Sequence, residues 1–273
     1  MRSCRTASAV AASALVVASA VASCREAASP DVPPVTSALA PSAPRGPEAA
    51  LVAEAGPLAA PPNAPPIAAS FVDVPGVVEA PVCSRLMVAV ARGKAVAMGE
   101  TLSAGDVLVV TYPDPIKIEG AGLVLVARRD FDTSVCGVKS RPLLDKKVVR
   151  ASAAPELRWA HGGMAAHLDV GEKVSPDVYL GRLEGSAGVA EHAHAGSWEI
   201  LGAIEASGMF VLDGTEGHLG PRQVLMIPPG SKHAWKPDPG SKLVAIQLYS
   251  PPGPEQRFVA LATAELDAGK DAR

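Results

Sequence analysis

The chain has 273 residues, with 25 basic against 28 acidic side chains, a net charge of -3 and only ten aromatic residues. That length holds one large or two small domains, and the balanced charge lacks the basic excess with which nucleic-acid binders neutralise phosphates, so no nucleic-acid partner is expected. The mean hydropathy of +0.21 comes largely from Ala and Val, and no apolar run approaches the roughly 20 residues needed to cross a bilayer.

Arg2 and Arg5 precede an uncharged, Ala- and Val-rich stretch from Thr6 to Ser23, the charge and length pattern of an export signal. It ends in Val21-Ala22-Ser23-Cys24, which resembles the lipobox of bacterial lipoproteins. The resemblance implies a leader over 1–24, acylation of Cys24, and a place in the periplasm or cell envelope where the membrane is touched only through the lipid anchor. An ordinary cleaved signal with Cys24 incidental is the alternative. Either way the mature chain is exported; with Cys4 lost with the leader and Cys24 consumed by lipid, Cys83 and Cys136 remain as the two thiols, as a disulfide or as two buried free cysteines.

Residues 25–70 carry eleven prolines and no aromatic residue, so they have no means of building a core and read as a disordered spacer. Folded structure is expected from Phe71. Short Val, Leu and Ile runs follow, bounded by Gly and Pro: Leu86–Val90, Asp106–Tyr112, Gly122–Ala127, Val178–Leu183, Ile200–Glu205, Gln223–Ile227 and Lys242–Tyr249. Their length and spacing predict an all-β sandwich or barrel, with a short terminal helix over Phe258 to Gly269 as the exception.

The chain also matches itself. At an offset of 115 residues Gly93, Gly99, Gly105 and Pro113 fall on Gly208, Gly214, Gly220 and Pro228, which implies two copies of one unit.

In the second copy, His192-Ala193-His194 is followed by Glu199 and, beyond another strand and turn, by His233. Residues two apart on a strand share a face, so His192 and His194 project into one cavity. Imidazoles plus one carboxylate suit a divalent Fe, Mn, Ni, Co, Cu or Zn ion, whereas a structural zinc more often uses cysteines.

The segment Glu191 to Glu199 resembles the first motif of the cupin superfamily, and Gly220 to His233, with Pro228-Pro229-Gly230-Ser231-Lys232-His233, is similar to the second. Ser186, Ala206 and Pro237 stand where the pattern has Gly, Gly and Asn; none of the three is a ligand position. The resemblance implies a cupin jelly-roll β-barrel in which His192, His194, Glu199 and His233 bind one metal. The resemblance leaves the oligomeric state open between a monomer and a homodimer, since cupins often pair through their sheets.

The first copy has Val77, Glu79, Ser84 and Ile118 at the corresponding positions, a set that cannot hold a metal, so it reads as a degenerate cupin-like unit. It is expected to form a partial barrel or one completed by strands from Lys146 to Val170. The expected organisation is therefore a degenerate unit over 71–137, a metal-binding cupin domain over 138–262 and a polar tail over 263–273. Strand parity places Leu201, Ala203 and Glu205 on the inward face with Glu199, and Trp235 with His233, lining an apolar pocket. His161, His167 and His218 read as loop or surface residues.

Two functions fit this reading. One is a metal-dependent enzyme acting on a small organic molecule, of oxygenase type, with an isomerase or lyase fitting the fold as well. The other is an exported module that binds or senses a sugar or organic acid without turnover. Fold cannot choose, because function belongs to the site.

Overall fold

A computed structural model describes residues 67–271 apart from 82, 112, 133–135 and 137–143. The expected leader, Cys24 and nearly all of the spacer lie outside the described residues.

The first half is one antiparallel sheet. It contains β1 (Ile67–Val78), β2 (Ser84–Ala97), β3 (Glu100–Ser103), β4 (Val107–Thr111), β5 (Ile116–Asp130) and β6 (Asp145–Val149), in the order β1-β5-β2-β4-β6 with β3 also on β2. A 3₁₀ turn, Ala151–Ala153, leads into β7 (Glu156–Trp159), β8 (Met164–Val170), β9 (Tyr179–Gly185) and β10 (Val189–His192). Then come β11 (Trp198–Glu205), β12 (Gly208–Leu212), β13 (Thr215–Leu219), β14 (Val224–Ile227), β15 (His233–Pro237) and β16 (Leu243–Ser250). These form two sheets, β10-β15-β12-β13 and β14-β11-β16-β9-β8-β7. The helix α1 (Gln256–Asp271) closes the described chain.

The apolar runs lack alternation because their strands are buried on both faces. On β2, Leu86, Val88 and Val90 enter an all-apolar interior with Leu102, Leu108, Val110 and Ile118. Met87 and Ala89 point the other way, into a core that also holds Leu125, Leu180, Ile200, Ile246 and Leu248. That second core contains side chains from both halves, so the two halves share one apolar layer. A third cluster, with Leu201, Phe210, Ile227, Trp235 and Tyr249, fills the interior of the second half.

The strand pairings recur at the offset found in the sequence. Ala97↔Glu100 on β2 and β3 corresponds to Leu212↔Thr215 on β12 and β13. Arg85↔Thr111 on β2 and β4 corresponds to Ile200↔Met226 on β11 and β14. Even the turn backbone repeats: Met98 and Gly99 have φ of 52° and 80°, Asp213 and Gly214 have 48° and 80°. Such left-handed pairs are what a two-residue hairpin turn with matching twist requires. The long strand β5 is represented by two strands, β15 and β16, with a turn at Asp238–Ser241 between them.

Several expectations need correction. The first strand starts at Ile67, ahead of the boundary drawn at Phe71, because Ile67 and Ala69 are buried in the shared core opposite Arg129 and Ala127 of β5. The boundary between 137 and 138 lies outside the described residues, but β6, counted with the second unit, pairs with β4 in the first sheet. The region Lys146 to Val170 thus serves both halves, with β7 and β8 extending the second. The polar tail over 263–273 is helical as far as Asp271, its helix held by buried Phe258 and Ala262, with Phe258 stacked on Trp159 at 5.3 Å.

Cys83, just before β2, is disulfide-bonded to Cys136, with Cα atoms 5.9 Å apart. The bridge ties the connection after β5 back to the start of β2, where Phe131 N–H also donates to Cys83 O at 2.8 Å.

Candidate metal centre

Three elements of the second half converge on one point. His192 ends the edge strand β10 and pairs directly with His233, the first residue of β15. His194 lies in the turn after β10, and Glu199 is the second residue of β11. The turn before His233 fixes their relation: Gly230 N–H donates to His194 O at 2.8 Å, and its φ of 81° is a conformation that favours glycine. One ligand atom from each of His192, His194, Glu199 and His233 lies within 4.8 Å of the others.

The hydrogen bonds at the outer edges of the rings determine what points inward. His192 Nδ1 faces Ala190 O at 2.9 Å, and His233 Nδ1 faces Ser231 O at 3.0 Å. A carbonyl only accepts, so each Nδ1 carries the proton and each Nε2 presents a lone pair, the tautomer that metal-ligating histidines adopt. His233 Nε2 is 3.0 Å from Glu199 Oε2, but without hydrogen-bond alignment, and among the described residues it is buried with no hydrogen-bond partner. A buried orphan lone pair beside a carboxylate fits a cation between them.

Glu199, itself only 4 % exposed, is placed by two further contacts. Its Oε2 lies 3.1 Å from His194 Nε2, and its Oε1 accepts from Gln247 Nε2 of β16. Burial pushes the Glu199 carboxyl up, but the imidazoles of His194 and His233 outweigh it and hold the group down at about 2. Burial lowers His192 to about 4. At His233 burial is again the largest influence, yet contact with Glu199 reverses it and raises the group. Tyr249, paired with Glu199 and edge-on to His194 at 5.1 Å, is raised well above 10, first by burial and then by the Glu199 charge. At neutral pH the site therefore offers one carboxylate, neutral imidazole at His192 and a neutral phenol.

Leu201, Ala203 and Trp235 occupy the inward face, buried with Phe210 and Ile227 beneath the histidines. Trp235 also borders an outer groove of about 380 Å³ with Val189, Glu191, Val211, Ala234 and Lys236. Glu205 does not join the inward face. A register shift between Ala203 and Glu205 turns it outward, where it pairs with Lys242 at 3.0 Å. His167 stands 3.4 Å from Glu184, and His218 3.4 Å from Asp238. His161 sits in a turn at φ 55°.

Gln247 and Tyr249 escaped the sequence reading. The available signal was a lone buried-type amide inside the apolar strand Leu243–Ser250, in phase with Tyr249. In the first half the corresponding positions differ in kind: Val77 is 59 % exposed, Ile118 is buried in the apolar interior, and Ser84 Oγ donates to Pro81 O at 2.7 Å.

The architecture is that of an all-β cupin jelly roll, and solved structures share it. An oxalate decarboxylase from Lactobacillus farciminis, solved as a formate complex, superposes with a TM-score of 0.52 at 10 % identity, covering 68 % of this chain and 77 % of that one. The oxalate decarboxylase of Bacillus subtilis gives 0.51 at 12 % identity, covering 68 % of each chain. A glyoxylate-induced protein from Pseudomonas aeruginosa gives 0.51 at 11 % identity, covering 67 % of this chain and 73 % of that one. At these identities the likeness is one of fold. No protein-family model matches the sequence. No curated protein matches it either.

Proposed function

We propose that this protein is an exported, metal-dependent cupin, an oxygenase-type enzyme acting on a small organic molecule. The observation that carries the reading is the donor set: three imidazoles and one carboxylate around a common point, with two Nδ1 protons tied to carbonyls and a buried Nε2 left without a partner. When bound, a divalent ion supplies Lewis acidity and open positions for substrate or oxygen. The chain's own residues hold the geometry. Gln247 fixes the Glu199 rotamer, and the carbonyls of Ala190 and Ser231 fix two ring orientations. Because His192 and His194 are half-buried while Glu199 and His233 are buried, the open side faces the mouth of the barrel.

A second reading, a binding or sensing module for a sugar or organic acid without turnover, draws support from the filled interior. Leu201, Phe210 and Trp235 leave a ligand the mouth rather than the depth of the barrel. The recurrent pairings support a bicupin whose first half has a structural role. Export is supported by the Cys83–Cys136 disulfide, a bond that persists in oxidising compartments. Anchorage through Cys24 and homodimer formation belong to the same proposal.

Elemental analysis of the full chain purified from its host, beside a His192→Ala/His194→Ala variant, tests the reading. One divalent ion per wild-type chain and loss in the variant are expected; equal metal in both would overturn it. Oxygen consumption by the metal-loaded protein with phenolic substrates then separates enzyme from binder.

A further inference from the structure

The half that cannot hold a metal keeps a groove where the other half has its candidate centre. At the offset of 115, Val77 and Glu79 stand in the places of His192 and His194. Strand pairing extends the correspondence to the opposite wall. Leu86 faces Arg128 across β2 and β5 as Leu201 faces Gln247 across β11 and β16, and Ser84 faces Asp130 as Glu199 faces Tyr249. Arg128 therefore takes the place of Gln247, and Asp130 that of Tyr249.

Val77, Glu79, Leu86 and Arg128 line one groove of about 290 Å³. Its apolar surface comes from Val72, Val77, Val78, Leu86 and Val126. Val78, Leu86 and Val126 also belong to the buried interior of the first half, so the floor is continuous with that interior. Val77 is mostly exposed, which leaves apolar surface uncovered at the rim. A concave apolar floor with a few polar groups at its edge is the form that small-molecule sites take, and this volume is near the lower end of the roughly 300–1,000 Å³ usual for them.

Two opposite charges share the groove without meeting. Glu79 is exposed, and among the described residues it takes part in no ion pair or hydrogen bond. Arg128 holds Asp130, two residues along the same strand, through Nε at 3.0 Å and Nη2 at 3.2 Å. That Nε is buried without an aligned acceptor, and no described residue engages Nη1. The guanidinium thus keeps donors for a further acceptor. An organic cation would meet Glu79 and leave those donors unused, whereas an anion would meet Arg128 and leave Glu79 without a counter-charge. A zwitterion with an apolar side chain satisfies the acid, the base and the floor together.

We propose that the metal-free half carries a second ligand site, and that this groove takes an apolar α-amino acid, its ammonium at Glu79, its carboxylate at Arg128 and its side chain on the valines and Leu86. The site stands apart from the metal reading and adds a binding role to the structural one given to the first half. Charge-assisted hydrogen bonds at both ends fix the orientation, and burial of the side chain supplies the apolar contribution.

Isothermal titration calorimetry of the full chain, with and without a chelator, tests the proposal. The probes share one apolar group: leucine, isopentylamine, which lacks the carboxylate, and isocaproate, which lacks the ammonium. Leucine should bind about tenfold or more tightly than either, with or without chelator. Glu79→Gln should remove its advantage over isocaproate, and Arg128→Gln its advantage over isopentylamine. Val77→Asp, at an exposed position, should weaken all three probes, and circular dichroism checks that each variant is folded. Equal affinity for leucine and either analogue, leucine binding unchanged in any folded variant, binding that the chelator abolishes, or no binding of any probe would each overturn the proposal while leaving the metal reading in place.

Discussion

Truncating Leu125 to Ala tests whether the two halves stand or fall together. Leu125 is 0 % exposed on β5, in the first half, but it packs in the core that also contains Leu180, Ile200 and Leu248. A Cβ added to Gly202 of β11 would stand 3.0 Å from both Leu125 methyl carbons, so residue 202 has no side chain with which to fill the vacated space. Removing a buried leucine from such a site costs about 3 kcal/mol, within the range of roughly 2–5 for this change. At about 2–4 °C per kcal/mol for a domain of this size, the midpoint should drop by about 6–12 °C. All three tryptophans, Trp159, Trp198 and Trp235, lie in the second half, so their fluorescence reports that half alone. The tryptophan transition should shift by the full amount and coincide with the loss of far-ultraviolet circular dichroism. If it stayed in place while circular dichroism fell earlier, the shared core would not couple the halves. Gly202→Ala offers a matching cycle: overpacking makes it destabilising in wild type by about 1–3 kcal/mol, and it should cost less, or help, beside Leu125→Ala.

Other outcomes follow from single contacts. Gln247→Leu removes the donor to Glu199 Oε1 at similar volume, and metal affinity measured by competition with a chelator should fall about 10–100-fold. Reducing the Cys83–Cys136 bond, which spans 53 residues, frees a loop whose closure entropy is about 4 kcal/mol, so dithiothreitol should lower the urea midpoint; an unmoved midpoint in demonstrably reduced protein would count against it. Asp106 accepts from Ala151 N–H, Ser103 N–H and Arg150; burial opposes its charge most strongly, but together these donors bring its carboxyl below 3.8. Its stabilising contribution is therefore complete above 3.8 and fades as pH falls through the lower folded value. Asp106→Asn should flatten the stability profile in that acid window, measured by urea titration at a series of pH values.

Much of the site was legible in the sequence because its ligands are local. His192 and His194 are two apart, so spacing gave those two a common face, and the resemblance of the segments around them and around His233 to two short motifs added Glu199 and His233. The repeat was legible for a similar reason: left-handed turn positions favour glycine, and Gly99 and Gly214 sit at equivalent ones. What stayed hidden depends on long-range pairing. Gln247 reaches Glu199 across 48 residues, and nothing local announces the contact. Glu205 was placed inward because parity assumes a regular strand, and the register shift after Ala203 breaks that assumption. The first core boundary was missed because Ile67 and Ala69 follow a proline run and look like spacer until β5 is paired beside them. Likewise, β6 has the exposed, charged sequence of an edge strand, and only its pairing with β4 assigns it to the first half.

X-ray absorption at the zinc edge of zinc-loaded protein examines the coordination sphere itself. The arrangement of His192, His194, Glu199 and His233 requires a shell of nitrogen and oxygen at about 2.0–2.2 Å with outer-shell scattering from imidazole rings. A shell of oxygen alone, with no ring scattering, would mean that the ion sits elsewhere and that these four side chains do not converge on it.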